Sequence, residues 1–229
     1  GDGLSHVGFG ALALAAALNL APLSVAVPLV IAAAFLLLRI SENGRIKGDA
    51  AIAMISGGSL AFGVILVSMT TGMNADVSNY MFGSILSLSS ADTVLGAALS
   101  AAVLLLFILL YPRIFAVTFD ESFAKATGTR AERYNSVIAV LTAVTVVLGM
   151  RMMGALLISS LIIFPALTAM RVCRSFRSVT VCAAVLSVLC FVIGLCASYA
   201  FELPAGAGIV AVNILAFALC SLAAYIKKH

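Results

Sequence analysis

Apolar residues run along this chain in eight stretches, at about 2–20, 22–40, 50–70, 92–111, 134–150, 154–172, 179–200 and 205–226, parted by short polar joints. A helix needs roughly 20 predominantly apolar residues to cross the hydrocarbon core, so each stretch predicts a membrane-spanning helix. Pro22 suits the first turn of the second span. Pro28 and Pro165 fall inside apolar runs and predict kinks, because neighbouring helices can re-satisfy the backbone groups that proline frees. The pattern predicts an all-α, polytopic membrane domain over residues 1–229.

Two connections are longer than turns. Residues 71–91 are polar at first and apolar later, which predicts a short outer-surface or re-entrant helix built on Tyr80 to Leu88. Residues 112–133 alternate apolar and charged positions and carry Asp120 and Glu121 ahead of Phe123, Ala124 and Gly128. This segment predicts a short amphipathic helix stopped by glycine, lying on the membrane surface.

Composition agrees with the pattern. Hydrophobic residues make up 63% of the chain and charged residues 10%, with a mean hydropathy of +1.21; a soluble domain would carry about a quarter charged residues. Gly1 and Asp2 do not form the basic start of a signal peptide. The five cysteines, Cys173, Cys182, Cys190, Cys196 and Cys220, show no CxxC spacing, so they read as small buried hydrophobes rather than disulfides or a soft-metal site.

Charge sets the orientation. Of the Lys and Arg residues, Arg39, Arg45 and Lys47 follow span two, Arg113, Lys125, Arg130 and Arg133 follow span four, Arg171, Arg174 and Arg177 follow span six, and Lys227 and Lys228 follow span eight. Arg151 alone falls on the other side. The positive-inside rule makes the crowded side, and with it the C-terminus, cytoplasmic. The outer side opposes Asp76, Asp92 and Glu202 to Arg151, a mild bias toward cations.

Candidate chemistry opens the chain. Asp2 and His6 stand four residues apart at the head of span one, on one face of a helix, where a carboxylate and an imidazole can grip one divalent cation. That donor pair suits Zn²⁺, Mn²⁺ or Fe²⁺. On spacing alone a second reading stays open, in which Asp2 caps the helix and His6 bonds a backbone carbonyl. Asn19, Ser56, Ser59, Ser159, Ser160, Thr168 and Asn213 read as interhelical hydrogen-bonding groups; Ser159, Ser160 and Pro165 are also candidates to line a pathway. Met150, Met152 and Met153 read as gap-filling side chains.

Several segments, in order, resemble the transmembrane subunits of bacterial ABC importers for zinc, manganese and iron: GDGLSH, NYMFGSILSLS, TFDESFAKATG, GALLISSLIIFPALTAMR and ELPAGAGIV. The resemblance implies a type II importer permease of the bacterial inner membrane, working with a second, identical permease subunit, an ATP-binding subunit and an extracytoplasmic metal-binding protein. It implies metal ligation by Asp2 and His6 in transit, with no permanently bound cofactor. It also implies that residues 119–130, with Phe119, Asp120, Glu121, Phe123 and Gly128, form the coupling helix that docks into the ATPase. Members carry at least one further helix before the Asp-Gly-Leu-Ser-His segment, so the chain reads as N-terminally truncated. Cation counting puts the start of span one on the cytoplasmic side, so Asp2 and His6 are expected in the inner half of the pathway unless the missing helix shifts them.

Other functions fit less well. The chain has no GxxxxGK[ST] loop, so it is not expected to hydrolyse ATP itself. An ion-gradient-driven transporter would carry several mid-span carboxylates and internal repeats, and spans two to eight show neither. An intramembrane protease would need HExxH or a Ser–His arrangement. A permease for cobalamin or siderophores would have no use for an Asp/His pair. Membrane lipid is an expected partner and nucleic acid is not.

Overall fold

The computed structural model describes residues 2–42, 48–69 and 90–226, and among them the chain forms nine helices and no strand. They are α1 (Asp2–Ala17), α2 (Pro22–Glu42), α3 (Gly48–Met69), α4 (Ser90–Phe119), α5 (Glu121–Ala126), α6 (Ala131–Met153), α7 (Ala155–Val172), α8 (Phe176–Ala200) and α9 (Ala205–Ile226). The segment expected to form a helix at Tyr80 to Leu88 lies outside the described residues, as do Arg45, Lys47, Asp76, Lys227 and Lys228.

Seven helices, all but α1 and α5, are long and apolar enough to cross a membrane. Their outward surfaces are apolar too: Leu104, Leu105, Ile108 and Leu109 on α4 and Val181, Val185, Val188 and Val192 on α8 are exposed. In water such a surface would drive aggregation, whereas in lipid it costs nothing to leave uncovered.

The first span is shorter than its apolar run. α1 ends at Ala17 because Asn19 adopts a left-handed conformation (φ 51°), its N–H donating to Ala16 O at 3.1 Å and that of Leu20 to Ala15 O at 2.9 Å. These are the paired bonds of a Schellman stop, which asparagine tolerates better than most residues. Sixteen residues extend about 24 Å, less than the bilayer core. α1 needs no full lipid span because it is enclosed by α2, α3, α6 and α7. Phe9 and Leu12 are buried on it with Val30 of α2 and Val146, Val147 and Met150 of α6.

Glycine makes that enclosure possible. A Cβ on Gly10 would meet the Ser59 carbonyl oxygen at 2.7 Å, so α1 and α3 pack backbone to backbone. Gly3 lies against Ile52 and Gly10 against Ser59, so the two helices run parallel. Gly8 lies near Val30 and Gly3 lines the same cleft as Leu37 and Leu38, so α2 runs antiparallel to both. The Asp2 end of α1 therefore shares one end of the bundle with the start of α3 and the end of α2.

Two further boundaries differ in ways that matter for the joints. The fourth helix was expected to stop before Pro112 but continues to Phe119. The residues beyond the proline keep a helical apolar rhythm, and Ile114 and Val117 bury themselves against neighbours, which outweighs one missing backbone bond. Arg151, expected in a joint, occupies the last turn of α6. Gly154 alone joins α6 to α7, at φ 87° and ψ 158°, a conformation essentially restricted to glycine. At the far end of α4, Tyr111 and Phe115 pack their rings on Phe176 at the start of α8, with centroids 5.7 and 5.1 Å apart.

Candidate functional site

Asp2 opens α1, where its carboxylate complements the positive helix terminus. One turn later His6 projects over it, and Nε2 lies 4.0 Å from Asp2 Oδ1. The Asp2 side chain is 59% exposed and that of His6 34%, so both remain accessible at the rim of an otherwise buried helix. Two donors on a tetrahedral zinc lie about 3.4 Å apart. The Asp2–His6 separation is thus slightly wider than that spacing. Among the described residues no set of three His, Cys, Asp or Glu side chains is gathered to hold a metal. Asp2 and His6 are side chains of types that bind transition metals, placed side by side and accessible.

The candidate pathway residues of α7 divide. Ser159 Oγ donates to Ser5 Oγ across the α1–α7 contact at 3.0 Å, joining α7 to the residue beside His6. Ser160 is buried and its Oγ has no hydrogen-bond partner among the described residues. Pro165 is buried within α7. Ser5 was not singled out from the sequence, although it stands three residues after Asp2, on the same helix face, and that spacing was the available signal.

Other polar groups do not glue helices as expected. Thr168 Oγ1 donates to Phe164 O at 2.7 Å and Asn213 Nδ2 to Ile209 O at 2.9 Å, each within its own helix. Backward bonding of this kind satisfies a buried donor without a partner helix. Met150 is fully buried, as a gap-filling side chain should be. All five cysteines are free, but only Cys190 is buried; Cys173, Cys182 and Cys220 are half-buried and Cys196 is exposed.

Residues 119–130 form a compact cap. Phe119 is the last residue of α4 and Asp120 the N-cap of α5, its Oδ1 accepting from Phe123 N at 2.9 Å. Lys125 Nζ lies 2.8 Å from Glu121 Oε1, and this contact, chiefly as a hydrogen bond, holds the Glu121 carboxyl below its usual range. Gly128 (φ 82°) ends the helix, with Gly128 N donating to Lys125 O at 3.0 Å and Thr129 N to Ala124 O at 2.9 Å. These bonds form a second Schellman stop. Ala124 turns inward to a small cluster with Val117 and Ala131. Phe119 and Phe123, 80% and 65% exposed, turn outward.

The chain is 29% identical over 219 residues to the high-affinity zinc uptake system membrane protein ZnuB of Haemophilus influenzae, covering 96% of this chain and 84% of that protein. It is 28% identical over 217 residues to the manganese import system permease protein ScaB of Streptococcus gordonii, covering 95% and 78%. Its fold matches a chain of PsaBC from Streptococcus pneumoniae, solved in complex with Fab, with a TM-score of 0.84 and 30% identity over 96% of this chain and 79% of that one. With residues 1–224 matching that family, the chain belongs to the ABC 3 transport family.

Proposed function

We propose that this chain is the membrane-spanning permease subunit of an ATP-driven importer of a divalent transition metal ion, zinc, manganese or iron. The observation that carries the reading is the Asp2–His6 pair on α1, two transition-metal donors 4.0 Å apart on the helix that four others enclose. Relatives named for zinc and for manganese uptake support the metal class without choosing within it. An ionisable pair among membrane helices is costly and favours function over decoration.

The ion enters from an extracytoplasmic binding protein, passes between two copies of the permease, and exchanges waters for Asp2 and His6 before release to the cytoplasm. Asp2 supplies charge and His6 the softer donor, and the incomplete shell keeps binding weak enough for release. We place the cation-rich end, with the C-terminus, in the cytoplasm of a bacterial cell whose inner membrane holds the protein. ATP hydrolysis belongs to a separate subunit seated against α5. The outward Phe119 and Phe123 are the contact, and Asp120, Glu121 and Gly128 hold the helix that carries it.

Reconstitution in proteoliposomes with the ATPase tests this. Uptake of zinc, manganese or iron should require ATP and fall in Asp2→Ala and His6→Ala. Uptake driven by a proton gradient without ATP would sink the importer reading, and normal uptake in both variants would remove the pair from the pathway.

A further inference from the structure

A cleft of about 1020 Å³ opens between the end of α7, the joint that follows it and the end of α9. Arg171 and Arg174 line it together with Ser221 and Tyr225. Arg171 sits over the Phe217 ring, 6.0 Å from its centroid, and Arg174 has no carboxylate partner among the described residues. Neither α7, α8 nor α9 contains an Asp or Glu. Glu202 is separated from the cleft by the length of α8, about 37 Å. The Ser221 hydroxyl has no hydrogen-bond partner among the described residues. The α8 N-terminus adds its positive dipole end beside Arg174.

We propose that this cleft binds the phosphate of an anionic phospholipid of the cytoplasmic leaflet, with Arg171 and Arg174 as its charged walls. Uncompensated arginines at a helix end attract a phosphate and hold it through charge-assisted hydrogen bonds. The surroundings point to lipid rather than to protein. Met170, Val172, Leu222 and Ile226 are exposed around the cleft, presenting apolar surface for acyl chains, and Tyr225 is an interfacial anchor of the usual kind. α5, the segment read as the ATPase contact, packs on α4 and α6 instead. This inference rests on the membrane orientation proposed above.

The test uses the permease–ATPase complex, delipidated in detergent and returned to phosphatidylcholine with or without phosphatidylglycerol. Phosphatidylglycerol should raise the unfolding midpoint of the wild type and of an Arg39→Gln control, and Arg171→Gln/Arg174→Gln should lose the shift. Retention of phosphatidylglycerol in native mass spectra should drop about fivefold per arginine removed. Equal retention in the double variant or an equal shift with inorganic phosphate alone would each overturn the proposal. Should the double variant not fold, wild-type complex labelled with a headgroup-photoreactive phosphatidylglycerol decides: adducts at 170–174 or 220–225 support the site, and adducts confined elsewhere refute it. None of these measurements involves metal uptake, so the transport reading stands or falls separately.

Discussion

Ser159 of α7 donates a hydrogen bond to Ser5 of α1 at 3.0 Å, immediately beside His6. This bond ties the helix that carries Asp2 and His6 to the helix that follows the single-residue Gly154 joint, so a shift of α7 would reach the turn that holds His6. Ser159→Ala should lower stability by only about 0.6 kcal/mol, a typical interhelical bond within a membrane. Chemical unfolding in detergent measures that loss. Metal uptake should fall by more than the small stability change accounts for, and unchanged uptake would reduce the bond to a structural one.

Ligand chemistry predicts a selectivity change at His6. His6→Asp turns the pair into two carboxylates, an all-oxygen set that favours manganese over zinc. Competition uptake with both ions should move toward manganese by at least about tenfold, the scale on which even outer contacts of a metal ligand matter. An unchanged ratio would mean that selection occurs elsewhere in the importer.

Packing predicts opposite outcomes for two glycines. Gly10→Ala drives a methyl group into the Ser59 carbonyl, a backbone atom that cannot step aside, and should cost about 1–3 kcal/mol. A methyl group on Gly57 of α3 would meet nothing within 4 Å, so Gly57→Ala should be neutral or gain up to about 1 kcal/mol through helix propensity. Unfolding of the two purified variants side by side checks the contrast.

The outward phenylalanines predict a separation of folding from assembly. Phe119→Ala and Phe123→Ala remove exposed rings and should shift permease stability by no more than about 0.5 kcal/mol, while weakening capture of the ATPase and lowering ATP-driven uptake. Acid adds a second handle. Glu121 has a lowered folded value, so its contact with Lys125 stabilises α5 above the ordinary carboxylate range and is lost as pH falls through that lowered value. Glu121 therefore gives ATPase capture no pH dependence near neutrality, and a loss near pH 6 would assign the transition to another group.

Much of the molecule was legible in the sequence. The spans stood out because a bilayer demands long apolar runs, and the Asp2–His6 pair because a polar i, i+4 pair is conspicuous in such a run. What misled was proline. Pro112 looks like a boundary when read alone, but Ile114 and Val117 find burial beyond it and the helix goes on. Thr168 and Asn213 misled in the other direction, since a polar residue in an apolar span says that its hydrogen bond is made but not with what.

The sequence by itself determined that the chain is a helical membrane protein, roughly where it crosses, and that Asp2 and His6 share one helix face, because hydropathy and helical spacing are local properties. Only the tertiary structure decided that α1 is a short, enclosed helix parallel to α3, that Ser5 and Ser159 meet, and that Phe119 and Phe123 turn away from the cap that Ala124 anchors. Those depend on which helices touch. In lipid that is set by close backbone approach and side-chain fit, with no difference in hydrophobicity to mark one apolar face from another.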